Sequence, residues 1–168
     1  ELLALAARLV ARGVPVTLRL RMSAATLPDV ETANVIGEIT GRERPEEIVL
    51  VGGHFDSWDV GQGAQDDGAG IVHTIETLRL IRALGLKPRR TIRAVLFANE
   101  ENGLRGGLAY AEAHAAECHV AAIETDLGSG QPLTWSATGS EHDLAWLRRL
   151  ALHTGLPLAG GGSGADIS

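Results

Sequence analysis

The amino-acid sequence predicts an α/β fold, with a mixed, largely parallel sheet flanked by helices. Three observations carry that expectation. Apolar runs of strand length occur at residues 48–53, 91–98 and 119–125. Segments with helical spacing of apolar residues separate these runs, which is the pattern of strand–helix–strand units. Each run is also followed closely by acidic residues: His54-Phe55-Asp56 after the first, Asn99-Glu100-Glu101 after the second, Asp126 after the third. Open α/β sheets bind ligands beyond the carboxyl ends of their strands, so residues far apart in sequence would meet at one place.

The elements follow in order. Residues 1–12 carry apolar side chains at helical spacing (Leu2, Leu3, Leu5, Ala6, Leu9, Val10), with Gly13 after the end and Pro15 as a break. Residues 16–22 alternate Val16, Leu18, Leu20 and Met22 with Thr17, Arg19 and Arg21, which predicts a half-exposed strand. Residues 33–40 predict a second strand, with Gly41 and Pro45 marking a turn, and residues 47–53 the first buried one. Residues 54–67 form a long polar loop. A helix over 68–84 then carries Ile71, Ile75, Leu78 and Ile81 on one face and ends at Gly85 and Pro88. A strand over 91–98, a helix over 107–117, a strand over 119–125, a short strand near 133–136 and a helix over 141–154 complete the reading. The one low-complexity segment is the glycine-rich run 160–164.

The candidate chemistry lies in the loops after the strands. His54 and Asp56 are two apart and would face the same way if strand geometry persists. One would then bind a metal while the other orients it, although a solvated loop histidine beside a turn-forming aspartate fits the local sequence as well. Gly63-Ala64-Gln65-Asp66-Asp67-Gly68-Ala69-Gly70 leads directly into a helix. One of its acids reads as a helix N-cap, and the small residues around them allow close backbone packing. In the pair Glu100-Glu101, one carboxylate can hold a metal while its neighbour accepts a proton from attacking water. The alternative is an exposed acidic turn. Asp126 draws its interest from matching the other strand ends. Clustered carboxylates repel one another unless a cation lies among them, and a pair of divalent metals is the simplest candidate. Trp58 reads as a pocket wall or a loop anchor, and Asp59 and Asp166 as turn or site residues. His73, His114, His142 and His153 read as surface or satisfied core positions, His119 as the start of a strand, and Cys118 as a small packing residue.

Composition excludes other classes. With 15 Lys and Arg against 21 Asp and Glu, the net charge is -6 and no basic run stands out, which argues against nucleic acid. No apolar stretch approaches the roughly 20 residues of a membrane span. The single cysteine cannot form an internal disulfide, and a zinc site here must use histidine and carboxylates.

The stretch from Gly53 to Gly68, with its His54-Phe55-Asp56-Ser57-Trp58 start and Asp66-Asp67 end, closely resembles the carboxypeptidase Q group. This group belongs to the co-catalytic dizinc aminopeptidases (clan MH metallopeptidases). The segment Ala98-Asn99-Glu100-Glu101-Asn102-Gly103 is similar to the Glu-Glu segment of the same family, and the likeness runs from about Ala33 to Gly130. It implies two zinc ions per full-length catalytic domain. His54 and Asp126 would hold one, Glu101 the other, and Asp66 would bridge both. Asp56 would orient His54, and Glu100 would be the general base. It also implies a cis peptide between Asp66 and Asp67, a last histidine ligand downstream of Ser168, and a partial catalytic domain over 1–168 that is truncated at both ends. A protease-associated domain could lie upstream of Glu1. The expected activity is hydrolysis of short peptides with a free N-terminus, as a dipeptidase or aminopeptidase. The expected setting is secreted or periplasmic, and a homodimer is compatible with it. The alternatives are single-zinc acyl transfer of the glutaminyl cyclase type and a non-catalytic binding module on the same fold.

Overall fold

The computed structural model describes residues 2–126, 128–161 and 165–167. The chain forms two compact units, residues 1–31 and 32–168. In the first, helix α1 (Leu2–Ala11) has no buried residue. The strand expected over 16–22 does not form: these residues have no regular structure, and Leu18, Leu20 and Met22 are about three-quarters exposed. Alternating hydrophobicity specifies a strand only where a neighbour accepts its hydrogen bonds and a surface takes its apolar face. The first unit supplies neither.

The second unit is built on strands β1 (Val35–Ile39), β2 (Arg44–His54), β3 (Arg90–Phe97) and β4 (Cys118–Glu124). Their spatial order is β1-β3-β2-β4. β1 runs antiparallel to β3, and β2 runs parallel to both β3 and β4. The sheet is mixed and largely parallel, as expected. Helices α2 (Gly68–Ala83) and α3 (Arg105–Ala113) make the crossovers between the parallel strands. A separate two-stranded parallel sheet joins β5 (Trp135–Ala137) to β6 (Leu158–Gly160) across helix α4 (Glu141–Thr154). β6 was not foreseen, because three residues beside a glycine-rich run carry almost no strand signal. Part of that run, residues 162–164, lies outside the described residues. α4 begins with a reciprocal Ser140–Asp143 capping box and ends at Gly155, whose φ of 72° suits a residue without a side chain.

The core is small. Leu50, Val95, Phe97 and Tyr110 are its buried centre, and Ile167 packs against it. Phe97 and Tyr110 meet edge to face, with ring centroids 5.9 Å apart. Midway along β3, Arg93 is held by Glu38 (3.0 Å), the Tyr110 hydroxyl (3.0 Å) and Glu117. Tyr110 stacks on His114, and its hydroxyl lies 2.8 Å from His119 Nε2. Both histidines are thus engaged by Tyr110. β4 is an edge strand with alternating exposure rather than a fully covered one.

Asn34 fastens the sheet to α3. Its Oδ1 accepts the Ala98 N–H (3.0 Å) and its Nδ2 donates to the Gly106 carbonyl (2.8 Å). Ala98 is almost fully buried, so removing the acceptor strands a donor. Asn34→Ala is expected to cost about 2 kcal/mol of stability, visible as a lower urea midpoint at unchanged slope. An unchanged midpoint would show that water replaces both bonds.

Candidate metal centre

The parallel register brings the strand ends together. His54 lies opposite Phe97 across β2 and β3, and Gly52 lies opposite Glu124 across β2 and β4. The residues just past these positions are Asp56, Glu100, Glu101 and Asp126, so the sheet gathers all three acidic loops at one edge. His54 is 1% exposed.

The start of α2 is built into the same place. The Asp66–Asp67 peptide bond is cis. Asp67 is buried, and its two oxygens accept the His54 N–H (3.0 Å) and the Gly70 N–H (2.9 Å). It thus caps α2 and ties the helix to the end of β2 at once. Asp66 points the other way and places Oδ1 3.2 Å from His54 Nε2. The backbones are in close contact: a Cβ on Gly53 would lie 2.4 Å from the Asp67 carboxylate. Small residues flank the acids for this reason.

Asp56 works through two groups. Its main-chain carbonyl lies 3.0 Å from His54 Nδ1, while its carboxylate accepts the N–H groups of Glu100 (2.9 Å) and Glu101 (3.3 Å). The carboxylate itself is 3.7 Å from Nδ1. Contact with His54 is therefore made by the carbonyl, and the side chain holds the Glu100-Glu101 loop in place.

A carbonyl oxygen can only accept, so Nδ1 carries the proton, and in the neutral ring Nε2 presents a lone pair. That lone pair faces Asp66 Oδ1 at 3.2 Å, Asp126 Oδ1 at 3.4 Å and Glu100 Oε2 at 3.8 Å. Lone pairs gathered this way require a cation at their focus. Burial opposes charging His54 most strongly, yet the Asp56 carbonyl and the charges of Asp67, Glu100 and Asp126 together raise its pKa. Burial likewise pushes Asp67 up to about 6 against its two N–H donors. Glu100 and Glu101 are raised, each chiefly by burial. Glu101 Oε1 is buried with no hydrogen-bond partner. Among the described residues, two sets of atoms converge closely enough to hold a metal: His54, Asp66 and Glu101, and His54, Asp67 and Asp126. Both Asp67 oxygens already serve main-chain donors, so Asp66 is the freer ligand of the pair. The donor set of one imidazole nitrogen with carboxylate oxygens suits zinc.

One residue of the site escaped the sequence reading. Glu124 stands two before Asp126, and strand alternation would have placed both on one face. Asp166, left open as turn or site residue, is buried. Its N–H donates to both Glu124 oxygens (3.3 and 3.2 Å), and neither of its own carboxylate oxygens has a partner. Burial first, then the charges of Glu124 and Glu100, push Asp166 up to about 7. Trp58, in contrast, is 62% exposed in its loop.

Residues 34–156 match the family model described as Peptidase family M28. The chain is 45% identical over 136 residues to carboxypeptidase Q of Pongo abelii, a match covering 80% of this chain and 29% of that relative. A crystal structure of a peptidase M28 precursor from Shewanella amazonensis SB2B superposes with a TM-score of 0.73 at 39% identity, covering 80% of this chain and 32% of that one. A zinc aminopeptidase from Bacillus subtilis shares the fold at 24% identity, with a TM-score of 0.62 over 79% of this chain and 35% of that one.

Proposed function

Because the chain belongs to peptidase family M28, we propose that it supplies most of the catalytic centre of a zinc-dependent exopeptidase acting on short peptides with a free N-terminus. The chain spans 29% of the length of the carboxypeptidase Q relative, so the activity is that of a longer protein of this kind. The observation that carries the reading is the focus of three carboxylates on the lone-pair face of His54, beside the orphaned Glu101 oxygen. His54, Asp66 and Asp126 would hold one zinc, and Asp66 and Glu101 would contribute to a second. When bound, the metals would supply Lewis acidity that polarises the scissile carbonyl and makes the attacking water more acidic.

The chain's own residues do the rest. Glu100 accepts the proton of the attacking water and returns it to the leaving amine. Asp56 holds the Glu100 and Glu101 amides, so the base and the neighbouring ligand keep a fixed spacing. Asp67 fixes the end of β2 to the start of α2, which sets where His54 and Asp66 meet. Dipeptidase or aminopeptidase action fits an acidic site that favours a cationic N-terminus over a carboxylate. Among the described residues no helix is long and apolar enough to cross a membrane. A secreted or periplasmic location fits a relative described as a precursor.

The test is metal removal from the full-length protein. Chelation is expected to abolish hydrolysis of alanyl-leucine, and zinc to restore it, with two zinc ions bound per chain. Undiminished hydrolysis by metal-free protein would overturn the reading. A single zinc with cyclisation of N-terminal glutamine would favour acyl transfer.

A further inference from the structure

The turn that carries Glu100 and Glu101 is a closed loop between the end of β3 and the start of α3. The Gly106 N–H donates to the Ala98 carbonyl (2.8 Å) and the Arg105 N–H to that of Asn99 (3.3 Å). The N–H groups of Gly103 and Leu104 both donate to the Glu100 carbonyl, each at 3.1 Å. Asn99 and Leu104 flank the acidic pair, and both take the left-handed conformation, at φ 61° and 55°. An asparagine adopts it readily, whereas a leucine there is strained. Such strain persists only where the surroundings over-determine the backbone.

Two side chains from other elements supply the constraint. At the tip, the Asp56 carboxylate accepts the N–H groups of Glu100 and Glu101. At the base stands Asn34, the residue before β1. Val35 lies opposite Leu96 in the antiparallel pair, which sets Asn34 beside the end of β3. Its one amide bonds both ends of the turn: Oδ1 accepts the Ala98 N–H, and Nδ2 donates to the Gly106 carbonyl. The three groups meet closely, since a Cβ on Gly106 would lie 2.5 Å from both the Ala98 nitrogen and Asn34 Oδ1. A primary amide suits this place because it offers an acceptor and a donor on one rigid plane. It fixes the span between residues 98 and 106.

We propose that Asn34 is a positioning residue for the general base, holding both ends of the turn so that the Glu100 carboxylate stands where the attacking water releases its proton. The proposal rests on the exopeptidase reading and deepens it. Glu101 would gain a second anchor from the metal on which it, His54 and Asp66 converge. Glu100 is not among those groups, so its place follows from the shape of the turn that carries it. Without Asn34, the Ala98 N–H loses its acceptor, and the left-handed residues flanking the pair relax toward ordinary backbone. The carboxylate then shifts, and a displacement of about 1 Å from the reacting atoms costs on the order of a hundredfold in rate.

The test is a double-mutant cycle on the zinc-loaded full-length protein, combining Asn34→Ala with Glu100→Gln and following alanyl-leucine hydrolysis. Asn34→Ala alone is expected to lower kcat about tenfold to a hundredfold, with KM and bound zinc close to the parent values. In the Glu100→Gln background it is expected to change kcat by less than about twofold, because the group it misplaces no longer takes the proton. A residue that only stabilised the fold would lower kcat by one factor in both backgrounds, and that result overturns the proposal. So does an unchanged kcat in Asn34→Ala, or a loss of zinc, which would make Asn34 a support for Glu101. Asn34→Asp keeps the acceptor for Ala98 and loses the donor to Gly106. Its kcat is expected to lie between those of the parent and Asn34→Ala, and it carries the same cycle if Asn34→Ala fails to fold. Amide hydrogen exchange of the metal-free protein reads the turn without turnover. In Asn34→Ala, exchange in residues 98–106 is expected to rise about tenfold more than in residues 67–71 at the start of α2. An equal change in both segments overturns the proposal. If the parent hydrolyses no peptide, the exopeptidase reading fails, and exchange still decides whether Asn34 holds the turn.

Discussion

Glu100→Gln is expected to reduce peptide hydrolysis by a factor on the order of 10²–10⁴ while leaving bound zinc nearly intact. Glutamine keeps the size and hydrogen-bonding reach of the side chain but cannot take up the proton that attack by water releases. The Glu100 side chain is 15% exposed and its Oε2 is 3.8 Å from His54 Nε2. It thus borders the focus of the site without being among the groups that converge most closely on a metal. The main-chain bond to Asp56 remains in the variant, so the loop keeps its shape. Glu101→Ala makes the contrast: it removes the buried, unpartnered oxygen and is expected to lower metal content itself. Zinc measured by atomic absorption beside initial rates separates the two roles. Equal loss of metal in both variants would show that the pair is assigned the wrong way round.

Gly70→Ala is expected to destabilise the domain by about 3 kcal/mol or more and to empty the site of metal. An added Cβ would lie 1.9 Å from the Thr125 carbonyl oxygen and 2.3 and 2.4 Å from the two Asp67 oxygens. None of these atoms sits at the end of a flexible side chain. The Thr125 carbonyl belongs to the backbone just past β4, and Asp67 is held by two main-chain donors. Relief requires moving the start of α2 away from the sheet, which breaks the cap and releases the end of β2 carrying His54. Overpacking alone typically costs 1–3 kcal/mol, and loss of the cap adds about 1. Gly130→Ala is the control, since nothing lies within 4 Å of a Cβ there. Denaturant midpoints and zinc content of both variants decide the matter. A Gly70→Ala protein as stable as the control would mean that the approach of α2 to β4 is not tight.

Except for β6, the elements of the second unit were legible because each rests on short-range pattern. The apolar runs that became β2 and β3 are bounded by polar or glycine-rich turns, and Ile71, Ile75, Leu78 and Ile81 mark one side of α2. Even the boundaries of α4 follow from its own residues, through Ser140 and Asp143 at one end and Gly155 at the other. Residues 16–22 show the limit of that reasoning. Their alternation is as regular as that of any strand, but pairing depends on a neighbour elsewhere in the chain, and none is present in that unit.

The candidate site divides along the same line. The residue types and their place at strand ends were set by the sequence itself, since a parallel sheet must carry His54, Glu100 and Asp126 to one edge once its strands are aligned. What those side chains do there was decided by the tertiary structure. The two neighbouring aspartates are alike in sequence, yet Asp67 faces two main-chain donors and Asp66 faces His54 Nε2. Asp56 meets His54 with its carbonyl and spends its carboxylate on the loop of another strand. Glu124 gains a role only when Asp166, 42 residues later, folds back onto it. Local sequence dictates backbone periodicity and the chemistry on offer. The direction of each carboxylate oxygen depends on which distant donor reaches it first, and only the packed chain determines that.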